Sequence, residues 1–327
     1  MSGRPFVYPP EQAQAREKMR RVSWISVALL LLAGVVLAFT VGSSQAMKTA
    51  WLSDVLTAIP PASLIFALRY ELREPSERYP FGYLRSLSVA FLVTAAVLTV
   101  VGLYLLYDSG MKLVHGERPP IGTVVFFGRQ IWAGWTMIGA LAFSLAVGFT
   151  LGKLKQPLAE RLHSKPLMAE ARMNRAEWMS EGAAILGIVL VGFGQWWGDA
   201  AAAAFISLEI IRDGWDNIRQ VVADLMDESP TRLGEHELEG LPARVRAEVE
   251  KLPWVEDAGV RMREQGHAVA GVVFVVPRAD GLGAAALTER LAETRDRVRA
   301  LDWRLHDVVV APVSALERDD PPRPAAD

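Results

Sequence analysis

Three acids of this 327-residue chain stand in apolar stretches, where an unpaired carboxylate is costly. Asp54 interrupts the run Trp51 to Leu68, and Glu177 and Glu181 lie one helical turn apart near the start of the run from about Glu170 to Phe193. A charged side chain at the centre of a bilayer costs roughly 2.5–3.5 kcal/mol on insertion scales, so such groups face a polar cavity or a partner. Met173 precedes Glu177 by one turn, which puts 173, 177 and 181 on one slowly drifting helical stripe. Pro60-Pro61 follows Asp54 by less than two turns, and proline in a helix removes its own amide, freeing the carbonyls of Leu56 and Thr57. A carboxylate, two carbonyls and the Thr57 hydroxyl could then converge, an oxygen-rich arrangement of the sort that broken membrane helices use for cations. Each feature also has a plainer reading. The glutamates could be interfacial acids balanced by Arg172 and Arg175, Asp54 a first-turn acid favoured by the helix dipole, and the prolines a kink satisfied by neighbouring helices or water.

Positioning such groups requires membrane helices. Hydrophobic residues make up 51% of the chain and charged residues 22%, which implies that the two are segregated along the sequence. Val22 to Met47 carries no charge and exceeds the roughly 20 residues that a crossing needs. It is too long for a signal-peptide core, and the flank Arg16-Glu17-Lys18-Met19-Arg20-Arg21 reads as an anchor. Trp51 to Leu68, Ser86 to Tyr107, Gln130 to Gly152, Glu170 to Phe193 and Asp199 to Ile211 complete six expected spans. Lys and Arg number 5, 4 and 6 in segments 1–23, 69–85 and 153–175, against 1, 3 and 0 in 44–50, 108–129 and 194–199. That bias places both termini in the cytoplasm. The expected organisation is a cytoplasmic segment over 1–21, a transmembrane domain over 22–220, a small domain over 231–313 and a disordered tail over 314–327.

Within the small domain a helical pattern from Leu233 to Leu252 precedes β-like runs at Val255 to Met262 and Val269 to Val276. An amphipathic helix at Ala284 to Leu301 and a strand at His306 to Val310 close an α-β-β-α-β order. The absence of cysteine excludes disulfides, thiolate metal sites and a cysteine nucleophile. All five histidines, His115, His163, His236, His267 and His306, fall outside the apolar runs. His267 and His306 read as surface or strand-end residues. A net charge of −2 gives no basic footprint for nucleic acid. The sequence holds no nucleotide-binding loop, no serine-histidine-acid set and no HExxH, so an enzyme is not expected.

Several short segments resemble the cation diffusion facilitator family of proton-coupled divalent-metal efflux transporters. Tyr79-Pro80-Phe81-Gly82-Tyr83 is similar to the family's His-Pro-Phe-Gly-His, with tyrosine at both histidine positions. Ala169-Glu170-Ala171-Arg172-Met173-Asn174-Arg175-Ala176-Glu177 is similar to its Ala-Asp-Ala-x-His-Asn-Arg-Ser-Asp stretch. Gly198-Asp199-Ala200, Gly214-Trp215 and Arg261-Met262-Arg263-Glu264-Gln265-Gly266-His267 also fit, and the likeness runs from about Trp24 to Pro312. The resemblance implies an all-α six-helix transmembrane domain and a metallochaperone-like α+β cytoplasmic domain that makes a homodimer contact; the Ala- and Arg-rich composition points to a bacterial origin, hence an inner-membrane location. It implies metal ligands four residues apart on the second and fifth spans. On the fifth these fall on Met173 and Glu177; on the second, Asp54 is the only acid, and counting back from Phe81-Gly82-Tyr83 places the pair at Ser53 and Thr57. The family's cytoplasmic metal positions fall on Ala258, Phe274 and Ala311, which cannot coordinate through their side chains.

The expected site therefore comprises Asp54, Glu177, Glu181, Met173 and Thr57, with Asn174 and Ser53 supporting, and Asp54 and Glu177 also carrying the coupled protons. Oxygen donors suit manganese, ferrous iron or magnesium better than zinc, among which the choice stays open; no tightly bound cofactor is expected. The alternative is a transport-inactive homologue that acts as a structural or regulatory partner of an intact transporter, motivated by the missing imidazoles.

Overall fold

The computed structural model describes residues 6–42, 44–115, 122–126, 129–233, 237–278 and 283–316. Seven helices precede the small domain. They are α1 (Pro10–Ala38), α2 (Gln45–Thr57), α3 (Ile59–Tyr70), α4 (Ser86–His115), α5 (Ala133–Leu162), α6 (Lys165–Gly192) and α7 (Trp197–Leu225). The prolines act where the sequence places them: α2 ends at Thr57, α3 begins at Ile59, and Ala58 carries the break. α2 and α3 together make one crossing-length segment, Gln45–Tyr70.

Among the described residues three segments are long and apolar enough to cross a bilayer by length and composition: Pro10–Ala38, Gln45–Tyr70 and Ala133–Leu162. The helices that follow the expected first, third, fifth and sixth spans all run longer than the apolar stretches that announced them. α1 begins at Pro10, so residues 10–21, expected as a separate cytoplasmic segment, form its first turns. α7 continues to Leu225, well past the expected span end at Ile211 and domain end at 220. Gln130, placed in the fourth span by its lack of charge, instead lies in a short antiparallel hairpin of β1 (Thr123–Phe126) and β2 (Arg129–Trp132). The charged stretch 153–175 is two helix ends rather than a loop, joined at His163, a left-handed residue with φ +47°. Within it, Lys155 of α5 and Glu170 of α6 form a buried ion pair at 2.9 Å.

α4 and α7 lie against each other along much of their length, while α5 packs on both α1 and α6. Two glycines allow the α4–α7 approach. A Cβ on Gly102 would stand 2.9 Å from the Ile211 side chain, and one on Gly214 would stand 2.3 Å from Thr99 Oγ1. Leu37, Met47, Leu105, Leu141, Ile188 and Ile206 are buried at the centre of the helices. Large apolar side chains such as Leu32, Phe66, Leu103, Phe149, Leu186 and Leu208 are exposed, as expected of a lipid-facing belt. The end of the helix set nearest α2's N-terminus is fastened by Asp199, a fully buried carboxylate that accepts from Ser44 Oγ and from the amides of Gln45 and Ala46, capping α2.

The small domain has the expected order: α8 (Leu241–Glu250), β3 (Val255–Gln265), β4 (Ala268–Pro277), α9 (Ala284–Arg299) and β5 (Leu305–Pro312). α8 starts at Leu241, after Gly240, rather than at Leu233. The sheet order is β3-β4-β5, with β3 and β4 antiparallel and β5 parallel to β4. Leu241, Val245, Val273 and Val308 lie in its core. Leu316 contacts the backbone side of Gly259, so the chain stays on the sheet through that residue; the remainder of the expected disordered tail, 317–327, lies outside the described residues.

Ion pairs and one buried network join this domain to the helices. Lys165 at the start of α6 pairs with Asp224 of α7 at 3.2 Å and with Glu264 of β3. Asp227 pairs with both Arg85 and Arg263. His267, in the β3–β4 turn, is 2% exposed and its Nδ1 lies 2.7 Å from Glu71 Oε1. The Tyr8 hydroxyl donates to the same Glu71 oxygen at 2.7 Å, and Arg16 Nη2 donates to the Leu68 carbonyl at 2.8 Å. His267 is therefore a buried junction between domains and not the surface residue expected from sequence; His306 lies at the start of β5, against the Phe6 ring.

Candidate cation site

The proline break turns the last residues of α2 toward α6 and α7. Ser53, Leu56 and Thr57 of α2, Met173, Glu177 and Ser180 of α6, and Glu209, Ile210 and Asp213 of α7 line one cavity of about 20 Å³. That is room for one ion or water and excludes an organic substrate. The four positions assigned by family resemblance, Ser53, Thr57, Met173 and Glu177, thus share a single pocket. The Thr57 hydroxyl donates to the Ser53 carbonyl at 2.9 Å, which leaves its oxygen free to act as an acceptor.

Asp54, one residue round the helix, faces another partner. It is 2% exposed and accepts a hydrogen bond from Ser144 of α5. Glu181 is also buried and stands within reach of the same Ser144 hydroxyl. Asp54 is close enough to both Glu177 and Glu181 for their charges to repel. All three acids are buried, Asp54 and Glu181 against the same Ser144 and Glu177 on the wall of the cavity. Gly148 of α5 makes room for this: a Cβ there would lie 3.3 Å from Glu177 Oε2 and 3.4 Å from the Asn174 carbonyl.

Several buried polar atoms here have no hydrogen-bond partner among the described residues. They are Glu177 Oε1, Glu181 Oε2 and both amide atoms of Asn174, all on α6. Asn174 is 1% exposed, with its Cβ beside Gly152 of α5; the supporting hydrogen bond to the carboxylates expected from sequence is not formed. A buried polar atom without a partner costs about 1–3 kcal/mol, a cost that a ligand bound at Glu177 or Glu181 would relieve. Among the described residues no three His, Asp or Glu are already gathered in metal-holding geometry. Binding a cation requires the carboxylates to draw in.

Sequence reading missed Glu209 and Asp213. Glu209 falls inside the expected sixth span and Asp213 just past its end at Ile211, and neither stood out because α7 changes from apolar to charged along one continuous helix. Their four-residue spacing was the available signal, since it puts both on one helix face. Ser180 of α6 donates to Glu209. The expected cytoplasmic metal positions hold none: Ala258 is fully buried in the sheet core, and Phe274 is paired in register with Ala311.

Comparison with known proteins agrees with this architecture. The family model of the cation efflux transmembrane domain matches residues 21–226. The chain is 25% identical over 184 residues to the manganese efflux system protein MneS of Bacillus subtilis (strain 168), covering 56% of this chain and 59% of that protein. It is 22% identical over 227 residues to the manganese efflux system protein MneP of the same organism, covering 66% of this chain and 72% of that protein. It is 26% identical over 222 residues to the zinc transporter ZitB of Escherichia coli (strain K12), covering 66% of each. The chain spans about six tenths of the length of MneS. With a match that takes in every helix from α2 to α7 and most of α1, the chain is an integral membrane protein and belongs to the cation diffusion facilitator family of cation efflux transporters.

Proposed function

We propose that the chain exports a divalent cation from the cytoplasm in exchange for protons, through six spans with both termini cytoplasmic in a bacterial inner membrane, as a homodimer joined through its small domain. The observation that carries this reading is the buried, unpartnered oxygen of Glu177 in a one-ion cavity shared with Thr57, together with the buried acids Asp54 and Glu181 at Ser144. The donors are oxygens, with the Met173 thioether the one soft group. Hard or intermediate ions such as manganese, magnesium or ferrous iron suit that set better than zinc. The relatives named for manganese efflux support the same preference.

No covalent chemistry is needed. A cation binds deprotonated carboxylates, so protons arriving from the far side compete with it and release it, while the helices rock between inward- and outward-facing states. Asp54 and Glu177 carry both ion and proton in this scheme, and Glu181 receives or passes the ion. Purified protein in proteoliposomes, loaded with a Mn²⁺ reporter and given a pH gradient, should accumulate Mn²⁺. Asp54→Asn with Glu177→Gln should abolish that accumulation, and wild-type rates in the double variant would remove the proposal.

The scarcity of gathered acids favours a second reading, a transport-inactive homologue that partners an intact transporter. Thermal stability separates the two, because a cation that binds the native state raises it. No stabilisation by Mn²⁺, Mg²⁺, Fe²⁺ or Zn²⁺ between pH 6 and 8 would favour the partner.

A further inference from the structure

We infer that α7 supplies part of the cation site, with Glu209 and Asp213 joining Glu177 as oxygen ligands for one hard divalent cation in the cavity between α2, α6 and α7. The inference rests on the transport reading above and extends its site to a third element. Glu209 and Asp213 stand one turn apart on α7 and line the same cavity as Glu177, Ser53 and Thr57. Asp213 has Glu209 and Asp216 adding like charge around it, with Arg212 as the opposing base. Placing acids so close on one face of a helix is destabilising unless something positive is shared among them.

The second, independent observation comes from α6. Glu177 is 8% exposed, lines this cavity, and leaves Oε1 as a buried acceptor without a partner. Ser180 holds Glu209 from the same helix, so the glutamate is kept at the cavity rim by a neutral donor and can exchange that hydrogen bond for a cation without losing a salt bridge. Drawn together, the three carboxylates with the Thr57 and Ser53 oxygens make a donor set that is oxygen but for the Met173 thioether of the same cavity, which suits Mn²⁺ or Mg²⁺ better than Zn²⁺. α7 is also the helix whose far end reaches Lys165 and, through it, Glu264 of the small domain. A cation that pulls Glu209 and Asp213 inward therefore moves the element that leads to the cytoplasmic domain.

The test is Mn²⁺ binding to the full-length purified protein, read by loss of the free-ion electron paramagnetic resonance signal, together with Mn²⁺ transport in proteoliposomes. Glu209→Gln with Asp213→Asn should weaken Mn²⁺ binding at least tenfold and slow transport in proportion, with metal-free thermal stability kept. Glu209→Asp, which keeps the carboxylate, should retain Mn²⁺-induced stabilisation that Glu209→Gln loses; this comparison decides the matter even if the double variant fails to fold. If the α7 variants bind and carry Mn²⁺ like wild type while Asp54→Asn with Glu177→Gln is inactive, the α7 site is overturned and the transport reading stands. If wild type binds neither Mn²⁺, Mg²⁺ nor Zn²⁺, both fall.

Discussion

Replacing Glu71 by Gln removes the charge at the centre of the junction between helices and small domain, and its cost can be worked from the structure. Glu71 is 3% exposed, accepts from the Tyr8 hydroxyl at 2.7 Å, lies 2.7 Å from His267 Nδ1 and sits 3.4 Å from Arg16 Nε. Burial alone would raise its pKa, but the charge and hydrogen bond of His267, with help from Tyr8 and Arg16, bring it from 4.5 down to about 2. At about 1.4 kcal/mol for each tenfold change, that corresponds to about 3 kcal/mol held in the ionised form. Because the folded value is depressed, the stabilisation is fully present above pH 4.5 and is lost as the pH falls from 4.5 toward 2. Glu71→Gln should therefore lower the apparent melting temperature in detergent by on the order of 5–10 °C at pH 7. The gap to wild type should narrow as the buffer is taken from pH 4.5 to pH 3. Equal stability at pH 7, or a gap that widens on acidification, would refute the argument.

Other variants test the packing that holds the cation site. Lys155→Met leaves Glu170 buried without its 2.9 Å partner and should cost about 3–5 kcal/mol, whereas adding Glu170→Gln should recover most of that loss in a thermal melt. Gly214→Ala forces a Cβ to within 2.3 Å of Thr99 Oγ1 and should destabilise the α4–α7 pair by about 1–3 kcal/mol, read by the same melt. Gly148→Val intrudes on Glu177 Oε2, so Mn²⁺ transport should fall more than tenfold while the small domain remains folded by near-ultraviolet circular dichroism. Asp199→Asn takes a charge from the capped N-terminus of α2 and should cost about 1–2 kcal/mol with little change in Mn²⁺ affinity.

The local signals of this chain were legible and the long-range ones were not. Pro60-Pro61 marks the break at Ala58 because proline's missing amide acts within one turn. The alternation and branching of Val269 to Val276 place β4 within a residue or so of its observed bounds. Asp54, Glu177 and Glu181 could be singled out because charge in an apolar run is rare wherever it occurs. The resemblance placed Ser53, Thr57, Met173 and Glu177 at equivalent positions, and they share one pocket. By contrast, His267 reads from sequence as a surface or strand-end residue because its partner Glu71 lies 196 positions away. Lys155 and Glu170 looked like loop charges because each cancels the other's burial cost only once α5 and α6 pack. Glu209 and Asp213 were hidden by the same effect: α7 is apolar on the side packed against α4, so a window average reads its polar half as tail.

The account's central claim is that carboxylates on α2 and α6 hold a divalent cation in competition with protons. The most direct measurement is Mn²⁺ titration of the purified wild-type protein and of Asp54→Asn with Glu177→Gln at pH 6 and pH 8. The account predicts saturable binding to wild type that is tighter at pH 8 and is lost in the double variant. Binding that is absent from wild type at both pH values, or unchanged in the variant, would contradict it.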